Sequence, residues 1–163
     1  MIILILDYLR FFYKKKLRIA KHIVYWKVEK VLRFFKSWHL VDQLSLKQLT
    51  MKTLALIAIT TSERGQTLYL MNIKKMHISD NRFSFIMTNK LKTTKRALKP
   101  KIVKCVNCSD PTLDVCAYVK SYMLETSKFR NENHNDLFLS WATKKPVTKV
   151  SLARWLKTIF SLS

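Results

Sequence analysis

The chain has 163 residues, 48% of them hydrophobic, with four tryptophans and nine phenylalanines; it can bury a domain-sized core and is not a disordered chain. Thirty-one Lys and Arg against ten Asp and Glu leave a formal charge of +21, which points to a polyanionic partner, nucleic acid or an anionic membrane surface. Three cysteines cannot pair evenly and their spacing suggests no disulfide framework, so a reducing compartment, nuclear or cytoplasmic rather than secreted, is expected.

Met1 to Leu6 is an apolar run ended by Asp7, too short to span a bilayer and followed by no small-residue cleavage site. Lys14-Lys15-Lys16 comes next, and the stretch reads as a packed N-terminal helix over 1–22 in preference to a membrane-surface helix. Val28, Val31, Leu32 and Phe35 repeat at helical spacing and predict a helix near 26–37. The pattern breaks over Ser37 to Gln43, and Ser45 is placed to cap the next helix, near 45–61. Leu46, Leu49, Leu54, Ile57 and Ala58 give that helix one buried face. A polar elbow, Thr60-Thr61-Ser62-Glu63, leads to Arg64 at the start of a further helix, near 64–73, carrying Leu68, Leu70, Met71 and Ile73. An arginine beside the free N–H groups of a helix start is a phosphate-binding arrangement; a helix-capping or salt-bridged arginine is the alternative.

After Met76 the period changes to two. Phe83, Phe85 and Met87 alternate with Ser84, Ile86 and Thr88, and Ile102, Val103 and Cys105 lie in a returning segment, Lys101 to Val106. Together they predict a hairpin near 82–106 whose tip carries Lys90, Lys92, Lys95, Arg96 and Lys99. Asp110-Pro111 is an N-cap followed by a first-turn proline and predicts a helix near 110–125. Lys128 to Asp136 is loop-like, and Asp136 to Trp141 is a short buried strand or turn. Pro146 and Thr148 open a last helix, near 148–160, with Leu152, Trp155, Leu156 and Ile159 on its apolar face. The fold class is therefore mainly α (α+β), helices around one small antiparallel sheet. Cys105-x-x-Cys108 is half of a zinc motif, and neither Cys116 nor His134 completes it, so no metal or cofactor is expected. No glycine-rich phosphate loop, paired-carboxylate site or Ser/His/Asp arrangement is present.

The wording of the elbow carries a resemblance. LTMKTLALIAITTSERGQTLYLMNIKKM resembles the first arginine motif of the tyrosine recombinase (phage integrase-like) superfamily, in the branch of DIRS-type and Crypton-type mobile elements and genes derived from them. Ala58, Thr60, Thr61, Arg64, Gln66, Thr67 and Leu68 match a pattern of a lysine-containing helix followed by Ala-x-Thr-Thr-x-x-Arg-x-Gln-Thr-Leu. Trp26 to Leu32 resembles the helix that opens that catalytic domain, and Lys145-Pro146-Val147 through Ser151 to Lys157 resembles a late one. The likeness covers about residues 23 to 160, which implies an N-terminal remnant over 1–22 and a recombinase-type catalytic domain over 23–163.

In that family a tyrosine attacks a backbone phosphate held by two arginines and a histidine, and a hairpin lysine protonates the leaving oxygen. The resemblance implies that Arg64 is the first clamping arginine and Lys92 the hairpin lysine, with Lys90 as its rival. It also implies double-stranded DNA as partner, through Arg64, Lys90, Lys92, Lys95, Arg96 and Lys99, with self-association allowed and no membrane or small-molecule cofactor. The family's His-x-x-Arg motif is missing: none of His22, His39, His77 and His134 has an arginine three residues on. Tyr122, the last tyrosine, precedes the place where that motif would begin, so the expectation is a truncated domain, its C-terminal part missing, that binds DNA without cutting it. The competing expectations are a non-enzymatic basic module for nucleic acid or protein, and a cationic protein at membrane surfaces through Met1 to Lys16.

Overall fold

The structure, a computed structural model, describes residues 28–79, 82–88, 100–132 and 134–161. Five α-helices and three strands follow in chain order: α1 (Val28–Lys36), α2 (Leu46–Thr61), α3 (Gly65–Tyr69), β1 (Met76–Ser79), β2 (Arg82–Met87), β3 (Lys101–Val106), α4 (Val115–Ser127) and α5 (Lys149–Ser161). The expected α+β class, helices around a small antiparallel sheet, is what the chain forms. The expected N-terminal helix over 1–22 lies outside the described residues.

α2 is the centre of the molecule. Its start is fixed locally: Ser45 accepts from the Gln48 backbone N–H, and the Gln48 side chain accepts from the Ser45 N–H at 3.0 Å, a reciprocal capping box. The expected single buried face is corrected here, because every residue from Leu49 to Ile59 is buried. α2 packs on α4, α5, α3 and β3 together, so solvent reaches no side of its middle turns. Its polar side chains are satisfied internally: Thr50 bonds the Leu46 carbonyl at 2.6 Å and Thr53 the Tyr118 carbonyl at 3.4 Å.

The sheet is antiparallel in the order β1-β2-β3. Phe83 pairs with Cys105 and Phe85 with Val103, and these four side chains turn inward and are buried. β1 was not expected from sequence. Its four residues are mostly exposed, so the strand is held by pairing with β2 rather than by an apolar face.

Two helices differ from expectation. α4 begins at Val115, not at Asp110. Asp110 instead organises its own turn, accepting from the Thr112 N–H at 3.0 Å and pairing with Lys36 at 2.7 Å, and Asp114 is the N-cap, accepting from Cys116 N–H at 3.0 Å. The Lys36 ammonium and the Thr112 hydroxyl hold the Asp110 carboxyl below the usual carboxylate range. α3 stops at Tyr69, because the chain after it is drawn into pairing with the 135–137 segment: Asn72 bridges Asp136, Ile73 donates to the Asn135 carbonyl at 2.8 Å, and Leu137 donates to Met71 at 2.9 Å. Tertiary pairing has overridden local helical spacing.

Asp136 to Trp141 forms bridges and turns rather than a strand, with Leu137, Phe138 and Leu139 buried. α5 begins where Thr148 accepts from the Ser151 N–H at 3.2 Å, and it buries Leu152, Trp155 and Ile159 as expected. Trp155 stacks on Trp141 with ring centres 4.0 Å apart. No described helix is long and apolar enough to cross a membrane.

Candidate nucleic-acid interface

The elbow is built by α2 ending cleanly. Thr60 and Thr61 turn their hydroxyls back onto the Leu56 and Ile57 carbonyls at 2.7 and 2.6 Å, so both hydroxyls are satisfied within the helix. Ser62 then adopts a left-handed backbone, φ 52 and ψ 29, and reverses the chain. The only glycine of the chain, Gly65, sits beyond the reversal. A Cβ on Gly65 would lie 3.2 Å from the Leu156 methyl of α5, so the elbow rests directly on the last helix.

Between these two points lies Arg64. It occupies the N-cap position of α3 with extended backbone, φ −73 and ψ 152, and its side chain makes no capping bond. The residue is exposed, and among the described residues its guanidinium has neither a hydrogen-bond nor a salt-bridge partner. It is thus not engaged as a cap or an ion-pair donor. One part of the sequence argument needs correcting: α3 has five residues, too few to supply a helix-terminal anion site, so any anion binding here rests on the guanidinium and neighbouring charges.

Glu63, next to it, is engaged. Its Oε2 lies 2.5 Å from the Nζ of Lys101, the first residue of β3. Lys101 stands opposite Met87, and beyond Met87 the Thr88 hydroxyl is hydrogen-bonded to Lys75. Side chains of Glu63 and Lys75 therefore grip both strands at this end of the β2–β3 pair. The residues expected to form the hairpin tip, Lys90, Lys92, Lys95, Arg96 and Lys99, lie outside the described residues.

Two cations missed by sequence reasoning are internal. Lys52, in the middle of α2, is fully buried, and its ammonium donates to the Phe35 and Trp38 carbonyls at 2.6 and 2.5 Å, at the end of α1. It also lies 4.3 Å from the Tyr118 ring centre. Desolvation lowers its pKa to about 8, partly countered by the charge of Asp110. Arg130 donates to the Asp136 and Leu137 carbonyls at 2.7 and 2.6 Å and to His134 O at 3.3 Å, with Nε on Thr126 at 3.1 Å. Both are structural. Their sequence neighbourhoods carry no signal of this, because the partners are backbone carbonyls brought together by folding.

The two tyrosines of α4 are internal as well. Tyr118 donates to the Trp38 carbonyl at 3.1 Å, and the Tyr122 oxygen accepts from the Leu139 N–H at 2.8 Å. Burial raises both phenol pKa values. Cys105 and Cys116 are buried thiols, Cys108 is half-buried, and burial pushes Cys105 up to about 12. Among the described residues no group of three or more His, Cys, Asp or Glu side chains could hold a metal ion. No protein-family model, curated protein or solved structure matches the chain.

Proposed function

We propose that this chain is a duplex-DNA-binding domain of tyrosine recombinase type that does not itself cut DNA. The observation that carries the reading is Arg64: exposed, unengaged by any described side chain, and held at a rigid elbow between α2 and α5. A free, exposed guanidinium on a fixed backbone position can meet phosphate oxygens in fork geometry. The motif wording around it, from Ala58 to Leu68, and the +21 charge support the same reading. The proposed lack of cleavage is supported by Tyr118 and Tyr122, whose rings are buried and whose hydroxyls are engaged.

A second reading, a basic module that binds a protein, is favoured by one feature. Ile102 and Val106 are more than half exposed on the outer face of β3, where Lys104 stands between them. A protein partner would bind with little salt dependence, which separates the two readings.

The test is a salt titration with a short duplex. Raising monovalent salt from about 50 to about 200 mM should weaken binding on the order of a thousandfold if about six phosphates are neutralised. A flat response would remove the electrostatic account. On a nicked duplex no protein–DNA adduct should survive denaturation, and an adduct mapped to Tyr118 or Tyr122 would contradict the proposed lack of cleavage.

A further inference from the structure

Glu63 is a carboxylate beside the one arginine on which the proposed phosphate contact rests. On a surface meant for a polyanion it should weaken binding, because like charge repels the ligand. Its partner makes sense of it. The Glu63 side chain is only 14% exposed, and its contact with Lys101 at 2.5 Å is a charge-assisted hydrogen bond between the elbow and the first residue of β3. An isolated pair of this type, with Lys101 44% exposed, adds little to stability. What it does is geometric. Glu63 and Arg64 are consecutive, so a contact that fixes Glu63 on Lys101 fixes the foot of β3 within one residue of the arginine. Lys75 secures Thr88 on the facing strand end in the same way.

We infer that Glu63 is a positioning residue: its ion pair with Lys101 locks the β3 foot to the Arg64 elbow, so that the Lys101 ammonium and the Arg64 guanidinium are presented to one stretch of DNA backbone together. This rests on the DNA-binding reading above. Pre-arranging two cations removes the ordering cost of assembling them on the ligand.

The inference makes a counter-intuitive demand. Glu63→Gln removes a negative charge from a DNA-binding surface, and charge alone predicts tighter binding. The positioning role predicts the reverse: duplex affinity falling about three- to tenfold at fixed salt. The amides of 101–106 should exchange faster in hydrogen–deuterium exchange of the free protein. The exchanged pair, Glu63→Lys with Lys101→Glu, should recover the slow exchange but not the affinity, because it puts a carboxylate where the Lys101 ammonium faces the DNA. If wild type binds DNA and Glu63→Gln binds equally well or tighter, the positioning role is overturned while the DNA-binding reading stands. If wild type shows no salt-sensitive binding, the DNA-binding reading fails and takes the inference with it.

Discussion

Lys52→Ala should destabilise the fold by about 2–5 kcal/mol, through the cavity left by a fully buried side chain. The ammonium of Lys52 is an added donor to two carbonyls that keep other partners: Phe35 O accepts from the Trp38 N–H at 3.1 Å, and Trp38 O from the Tyr118 hydroxyl at 3.1 Å. A helix C-terminus and an aromatic face stand where a carboxylate counterion would normally be. Lys52→Met keeps most of the volume and isolates the polar contribution. Its pH dependence has a defined sign. The folded-state pKa of Lys52 lies at about 8, below the ordinary 10.5. Below pH 8 both states carry the proton, and the folded state bears a charging penalty on the order of 3 kcal/mol. Between about 8 and 10.5 the folded protein has released the proton and the unfolded chain has not, so stability rises with pH across that window. Cys105, Cys116, Tyr118 and Tyr122 act in the opposite direction, since burial raises their pKa values, but wild type and variant share them. Denaturant midpoints of wild type and Lys52→Met should therefore diverge from pH 7 to pH 10, with wild type gaining. Parallel curves would mean that burial leaves the Lys52 pKa unshifted.

Arg130→Leu should also be damaging, by about 1–3 kcal/mol. The planar guanidinium reaches three carbonyls and a hydroxyl at once, and it braces the 134–137 segment that pairs with the chain just after α3. Leucine leaves those carbonyls without a donor. Arg130→Lys should rescue little, because an ammonium is a point donor and cannot span the fork. Melting temperatures of the two variants, compared with wild type, check this; a lysine variant as stable as wild type would show that a single bond suffices.

How much could be read from the chain depends on how far apart the interacting residues are. The Ser45 cap with Gln48, the helical periods of α1 and α5, and the alternation of Phe83, Phe85 and Met87 are written within a few residues, and each reappears in the fold. Asp110-Pro111 misled because a good capping residue also makes a good turn, and the nearby Lys36 charge holds Asp110 in that turn. α3 looked longer than it is because Leu70, Met71 and Ile73 keep helical spacing while the backbone of Met71 and Ile73 pairs with residues more than 60 positions later. At the candidate site, Arg64 was legible from its elbow and its motif. Glu63 on Lys101, 38 residues away, was not, since nothing local distinguishes that carboxylate from any other. Lys52 carries the clearest lesson: a lysine among apolar residues reads as a break in the pattern, yet here it is the donor that fastens α1 to the core.

The central claim is that Arg64 meets a phosphate. Its most direct measurement is duplex affinity per folded molecule for Arg64→Ala, set against Lys120→Ala, an exposed lysine on α4, with melting temperatures taken on the same samples. Loss of one charge-assisted contact should weaken binding about ten- to a hundredfold. Lys120→Ala should change it only slightly, and both variants should melt with wild type, because the Arg64 side chain makes no described bond within the fold. Unchanged affinity for Arg64→Ala, accompanied by a lowered melting temperature, would show that the arginine serves the fold and contradict the account.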